Sequence, residues 1–210
     1  SAAQRTALHV ASAIRATSLA IHATLELRIR EALSQCADEA RSTVMLRHFR
    51  DRGPTREECT EVIGVNDKGE PLTRAMQLGN EQHEEALRCA AARLEELKPG
   101  GFALLPRYLI NPQTGRAHFI SRQQVKALLA QGRGAELLGS IEPDIVLHTG
   151  TPQQVQRAFD FKFPCVNGVE TPWRRYPEGH PHQYASQKEV YESSLRALAF
   201  RVLPRLGVLP

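Results

Sequence analysis

Glu142-Pro143-Asp144-Ile145-Val146-Leu147-His148 and, after the turn formers Thr149-Gly150-Thr151-Pro152, Val155-Gln156-Arg157-Ala158-Phe159-Asp160-Phe161-Lys162-Phe163 are the two runs that decide how this chain is read. Each is short, apolar and bounded by turn residues, the pattern of a β-strand rather than a helix. Side chains alternate along a strand, so Asp160 and Lys162 project from one face while Phe159, Phe161 and Phe163 project from the other. A turn centred on Pro152 pairs the runs antiparallel and sets Asp144 opposite Asp160, because the two are equidistant from 152. Two carboxylates then converge beside one ammonium.

The flanking segments supply helices and further strands. Residues 102–110 and 117–121 read as a hairpin about Asn111-Pro112-Gln113-Thr114-Gly115, and 122–131 as a short amphipathic helix. Upstream, residues 73–98 form a long helical pattern that stops at Pro99-Gly100-Gly101. Residues 1–52 contain neither Gly nor Pro, and Ile14, Ile21, Leu25, Ile29 and Leu33 recur near helical spacing, so one or two long helices are expected there, their basic face solvated. Thr55 is placed to cap a short helix through Val62, and the turn formers at 64–71 read as a loop. Downstream, 183–198 reads as a last helix and 200–203 as a final strand. The expected fold is α/β (α+β), a mixed sheet flanked by helices, with a helical N-terminal segment at 1–64 and the main domain at 65–210.

Composition narrows the classes. The chain has 210 residues and 41% hydrophobic content, enough for a real core. No stretch approaches the length of a membrane span, and no signal-peptide order opens the chain. It begins at Ser1 and ends at Pro210, as a piece of something longer would. A net charge of +4 permits a polyanionic partner without demanding one. Arginine carries that charge, 22 Arg against 5 Lys, so Lys162 at a special position stands out. Cys36, Cys59, Cys89 and Cys165 show no CxxC pairing and read as reduced core thiols.

The Asp144, Asp160 and Lys162 cluster suits phosphodiester hydrolysis. Carboxylate oxygens hold Mg²⁺ or Mn²⁺, which polarises the phosphate and acidifies bound water, while Lys162 steadies the attacking water or the developing charge. With a depressed pKa the lysine would be the general base instead. The plain alternative is a surface salt bridge on an ordinary strand. On the helix at 73–98, Met76, Leu87, Ala90, Leu94 and Leu97 fall on one stripe with His83 at its centre, facing the sheet; Glu84 sits at the edge, and Glu81 and Glu85 point away. Trp173, Arg174 and Arg175 combine a stacking ring with cations, as DNA contacts require. His180 and His182, set between prolines and glycine, read as a loop.

Taken in order, Gly79-Asn80-Glu81-Gln82-His83, Pro143-Asp144, Asp160-Phe161-Lys162 and Gln187-Lys188-Glu189-Val190-Tyr191 resemble the PD-(D/E)xK nuclease superfamily, in detail its RecB-type branch, over residues 73–203. The resemblance implies a restriction-endonuclease-like fold. It implies His83, Asp144, Asp160 and the Phe161 backbone carbonyl as metal ligands, Lys162 as catalytic lysine, and Gln187 and Tyr191 as catalytic supports. Those last two lie four apart on a helix and have local packing as their plain alternative. Glu84 is the alternative helix acid. Phe163 departs from the small or polar residue common in that branch, and the cysteines lack its iron–sulphur arrangement, so no cluster is expected. The chain has no Walker-type loop and is no motor.

The domain also resembles restriction-endonuclease-fold toxin domains of bacterial polymorphic and type VI secretion effectors. That likeness implies DNA as target, a cognate immunity protein and a secretion-apparatus carrier as partners, and no membrane partner. It also implies a cytoplasmic site of action, reached by secretion without a signal peptide. A resident repair, recombination or phage nuclease and a nuclease-inactive DNA-binding module are the alternatives.

Overall fold

Apolar residues of period two on both faces make the quoted strands the middle of a sheet. In the computed structural model, which describes residues 2–50, 52–67 and 69–210 with side chains from His22 onward, β6 (Ile145–His148) and β7 (Val155–Phe161) pair antiparallel. Ile145 lies opposite Phe159 and Val146 opposite Ala158. Carried one residue further, this register sets Asp144 opposite Asp160, as the turn arithmetic requires.

The chain is a mixed α/β protein. Its elements are α1 (Ala2–Phe49), α2 (Arg56–Thr60), β1 (Val62–Val65), β2 (Pro71–Thr73), α3 (Arg74–Leu97), β3 (Phe102–Leu104), β4 (Arg107–Ile110), β5 (Ala117–Ile120), α4 (Arg122–Ala130), then β6 and β7, α5 (Gln187–Leu195), β8 (Leu198–Leu203) and β9 (Gly207–Leu209). The main sheet has the order β3-β6-β7-β8-β9. Only β7 and β8 run parallel, and α5 lies in the crossover that a parallel pair needs. No helix among the described residues is long and apolar enough to cross a membrane.

The two faces of the sheet carry different cores. Ile145, Leu147, Phe159, Phe161, Phe200 and Val202 pack under α1 and α3. Ala37 and Ala40 of α1 and Ala86 and Ala90 of α3 join that core, and small side chains there let the two helices lie close. Val146, Ala158 and Ala199 face the other way, toward Val190 and Tyr191 of α5 and Tyr108 of the β4–β5 hairpin. Each fully buried Phe or Ile contributes about 2 kcal/mol of transfer free energy. The alternation that buries Phe159 and Phe161 turns Asp160 to the α5 side.

Several expectations are corrected. The 102–110 run is two strands: Leu105 takes a left-handed backbone (φ 49) before Pro106, so β3 joins the main sheet while β4 pairs with β5. Residues 62–73 form a hairpin where a loop was expected; the Asn66 carbonyl and side chain close its turn against Gly69 and Glu70. Thr55 caps α2 through a full capping box, but the helix ends at Thr60. The last helix starts at Gln187, because the Ser186 hydroxyl caps Glu189 and Glu189 returns the bond. Strand β9 was not foreseen. The N-terminal segment is one helix, with Ile29 and Leu33 buried as their spacing requires; the side chains of Ile14 and Ile21 lie outside the described residues. The boundary drawn at 64/65 falls inside β1, and α1 shares the core of the sheet.

The cysteines are the largest correction. They are not reduced thiols: Cys36 is bonded to Cys89, and Cys59 to Cys165. The first bond joins α1 to α3, and the second ties α2 to the segment after β7. Both partners are distant in sequence, so no local spacing announced them.

Candidate metal and catalytic site

The site forms where β7 ends and β6 begins. Asp144 enters β6 behind Pro143, and its carboxylate is held by the Phe161 N–H, which donates to Oδ2 at 2.7 Å. In return the Asp144 N–H donates to Asp160 Oδ1 at 3.2 Å. Both aspartates are buried, Asp160 only 4% exposed. On one side His83 Nε2 stands 2.8 Å from Asp144 Oδ2. On the other, Lys162 Nζ donates to Asp160 Oδ2 at 3.0 Å and to Gln187 Oε1 at 2.8 Å. The Gln187 amide then donates to the Tyr191 hydroxyl at 2.9 Å. His83, Asp144, Asp160, Lys162, Gln187 and Tyr191 thus make one connected polar chain across two strand segments and two helices.

Electrostatics follow from crowding two carboxylates in a dry place. Burial, and then the charge of Asp144, push the Asp160 carboxyl up to about 6, with Lys162 offsetting only part of the penalty. For His83 burial opposes the charged form, but the hydrogen bond and charge of Asp144 outweigh it and raise the pKa. Burial, with Asp160 and Asp144 adding to it, raises the Tyr191 phenol far above its ordinary range, so it stays a neutral hydroxyl. The two carboxylates therefore carry more negative charge than Lys162 alone neutralises, and the raised pKa of His83 draws a balancing proton to the Asp144 side.

That excess, on one imidazole and two carboxylates, is a donor set that fits a divalent cation. The oxygens nonetheless turn to His83 and Lys162 here, and among the described residues no group of three or more His, Cys, Asp or Glu side chains is arranged as a metal cage. The His83–Asp144 separation is that of a shared proton, which a cation would have to displace.

Other expected residues stand apart from this chain. Glu84 is exposed on α3, outside the polar chain. The α3 stripe is rotated from the expected one: Leu78, Gln82, Ala86, Ala90 and Leu94 are buried, Met76 is exposed, and Gln82 rather than His83 holds the centre. His83 flanks that centre, edge-on to Phe161 and Phe163, and so reaches the end of the sheet instead of its middle. Glu81 and Glu85 pair with Arg47 of α1. Trp173 is not a free stacking ring: Lys162 Nζ lies 5.4 Å from its centroid, Tyr191 meets it edge-on, and its buried Nε1 has no hydrogen-bond partner among the described residues. Arg174 and Arg175 are exposed beside it, and the Arg174 carbonyl accepts from the Gln187 N–H at 2.7 Å, which anchors the start of α5.

Sequence reading missed Arg41. Far from lying on a solvated face, it is buried and donates to Asn167 Oδ1 at 2.6 Å, the Pro164 carbonyl at 2.7 Å and the Cys165 carbonyl at 3.1 Å, and more weakly to Gln82 Oε1. It clamps the segment that follows Lys162. A contact between residues 123 apart leaves no local signal.

A groove of about 350 Å³ adjoins the cluster, lined by Leu104, Leu105, Pro106 and Phe119, with Arg122, Lys126 and the Arg107–Glu142 ion pair at its polar parts. It touches the site through Leu105, whose N–H donates to the Asp144 carbonyl at 2.8 Å. Comparison with known proteins finds no matching family model, no similar curated protein and no similar solved structure, so the cluster's geometry carries the functional reading.

Proposed function

We propose that the chain is a metal-dependent DNA nuclease of the PD-(D/E)xK type, hydrolysing phosphodiester bonds. The observation that carries this reading is the buried Asp144–Asp160 pair, flanked by His83 on one side and by the Lys162–Gln187–Tyr191 chain on the other. His83, Asp144, Asp160 and the Phe161 carbonyl would hold Mg²⁺ or Mn²⁺, which supplies polarisation of the phosphate and an acidified water.

The remaining work belongs to the protein. The Phe161 N–H fixes the Asp144 carboxylate, and the Asp144 N–H fixes that of Asp160, so both ligands are oriented before substrate arrives. Lys162 presents an ammonium to the attacking water or to the charge that grows on the phosphate. Gln187 holds that ammonium, and Tyr191 holds Gln187, which makes both positioning residues. Trp173 covers the lysine and limits water around it. Arg174, Arg175 and the basic edge of the adjoining groove suit the DNA backbone.

The setting proposed is an exported antibacterial effector domain, with a carrier for delivery and an immunity protein that blocks the site. Two disulfides favour a chain that passes through an oxidising compartment, which fits export better than a resident cytoplasmic repair nuclease. Digestion of plasmid DNA in Mg²⁺, Mn²⁺ or EDTA tests the activity. Cleavage should need the metal and vanish in a folded Asp160→Ala variant. Full activity in EDTA or in that variant would remove the assignment, and binding without cleavage would leave the inactive DNA-binding module.

A further inference from the structure

A second site lies away from the catalytic chain, in a cavity of about 520 Å³ between the C-terminal part of α1 and the segments around Gly53, Asn167 and Arg205. Arg41, Arg50, Arg52 and Arg205 line it, against one acid, Asp38. Arg52 forms an ion pair with Glu58, and the Asp38 carboxylate accepts from the Arg205 backbone N–H at 2.6 Å. The remaining charge has no such answer.

Arg41 is the telling residue. The residue is 5% exposed, and all its hydrogen bonds go to neutral oxygens: the Asn167 and Gln82 side-chain amides and the Pro164 and Cys165 carbonyls. The polar atoms are satisfied, but the charge is not. A buried cation is ordinarily paired with an anion, because neutral acceptors replace only part of its hydration. Burial, and then the charge of Arg205, lower the Arg41 pKa, so the two guanidiniums repel across the cavity. Among the described residues no carboxylate pairs with the guanidiniums of Arg41, Arg50 or Arg205.

We propose that this cavity is a phosphate-binding site, separate from the catalytic cluster, that takes a phosphate group on the exposed guanidiniums of Arg50 and Arg205, with the buried charge of Arg41 behind them. Guanidinium forks match phosphate oxygens two at a time, and a phosphate brings more charge to one point than a single carboxylate can. The neighbouring wall is built closely: a Cβ on Gly53 would meet the Asn167 amide at 2.9 Å, the same residue whose oxygen fixes Arg41. The site does not depend on the nuclease reading, since its ligand binds without metal or cleavage.

The test is calorimetric titration of inorganic pyrophosphate into the full chain in EDTA. The comparison proteins are Arg50→Gln/Arg205→Gln, which removes two exposed charges and leaves the buried Arg41 in place, and Asp160→Asn, which alters only the catalytic cluster. The expected result is binding by wild type and by Asp160→Asn, weakened at least tenfold in the double variant, with a steep loss on adding salt. A single-stranded oligonucleotide titrated under the same conditions separates the sources. Parallel weakening assigns the phosphate to a nucleic-acid backbone; weakening of pyrophosphate alone assigns it to a small phosphorylated molecule. Absence of pyrophosphate binding, or equal binding by the double variant, would overturn the proposal. So would a glutamate-rich peptide that binds more tightly than pyrophosphate and depends on the same two arginines, since the cavity would then serve an acidic protein.

Discussion

Replacing Asp160 by Asn is expected to stabilise the metal-free protein while abolishing its chemistry. The carboxyl is pushed up to about 6 from an ordinary 3.8, first by burial and then by Asp144. A carboxyl with a raised folded pKa holds its proton more tightly in the native state than in the unfolded one. Its contribution to stability is therefore full below about pH 4 and is lost as pH rises through about 6. At 1.36 kcal/mol per pH unit the loss amounts to about 3 kcal/mol above pH 7. An amide carries no charge across this range and keeps an oxygen for the Asp144 N–H, but it gives up the Lys162 ion pair. That pair is already counted in the net upward shift, so the variant should gain on the order of 1–3 kcal/mol at pH 8 and converge with wild type near pH 4. Urea unfolding in EDTA at pH 4, 6 and 8 measures it. Saturating Mn²⁺ should offset most or all of that gain, because a cation at a hundred times its dissociation constant adds about 2.7 kcal/mol to the protein that binds it. A variant no more stable than wild type at pH 8, or a difference independent of pH, would refute the picture of two charges crowded in a dry site.

Three further outcomes are expected. His83→Ala should lose most Mn²⁺ affinity by calorimetry. The raised pKa of the wild-type histidine means that its charged pairing with Asp144 stabilises the fold below about pH 6.5 and is lost as pH rises through the higher folded value, so Mn²⁺ affinity should climb with pH in that window and flatten in the variant. Wild-type affinity in the variant would make the histidine a packing residue and turn attention to Glu84. Arg174→Ala/Arg175→Ala should weaken DNA binding and reduce its salt slope by up to about two; an unchanged slope would confine both residues to anchoring α5. Opening the Cys59–Cys165 bond with paired serines should cost about 2–5 kcal/mol in urea unfolding, because it releases a long loop in the unfolded chain, and an unchanged midpoint would show the bond to be incidental.

What could be read from the sequence was what local periodicity encodes. The Phe159-Asp160-Phe161-Lys162 alternation and the turn about Pro152 yielded the strand, its faces and the pairing register, and with them the placement of Asp144 beside Asp160. The capping residues Thr55, Thr73, Ser121 and Ser186 stand where α2, α3, α4 and α5 begin, though the sequence reading singles out only the first. Tertiary decisions were hidden. The split at Leu105-Pro106 depends on β3 finding an edge of the main sheet and β4 finding β5, and one apolar run cannot state that. The α3 stripe is displaced by a residue because polar Gln82 is buried, its amide donating to the Leu78 carbonyl and its oxygen accepting from Arg41, a partner 41 residues away. Both disulfides and the Arg41 clamp likewise join distant segments. Trp173 reads as a contact ring because the cations Arg174 and Arg175 follow it, while the ring itself packs on Lys162 and Tyr191.

The central claim is that Lys162, held by Asp160 and Gln187 beside the two buried carboxylates, serves phosphodiester hydrolysis. Single-turnover cleavage of plasmid DNA in Mn²⁺ by wild type and by a folded Lys162→Ala variant measures this most directly, with Mn²⁺ binding followed on the same samples. The account predicts cleavage by wild type, about a hundredfold or greater loss in the variant, as for removal of one charge-stabilising donor, and retained metal binding. Equal cleavage rates, or no cleavage by wild type with metal bound, would contradict it.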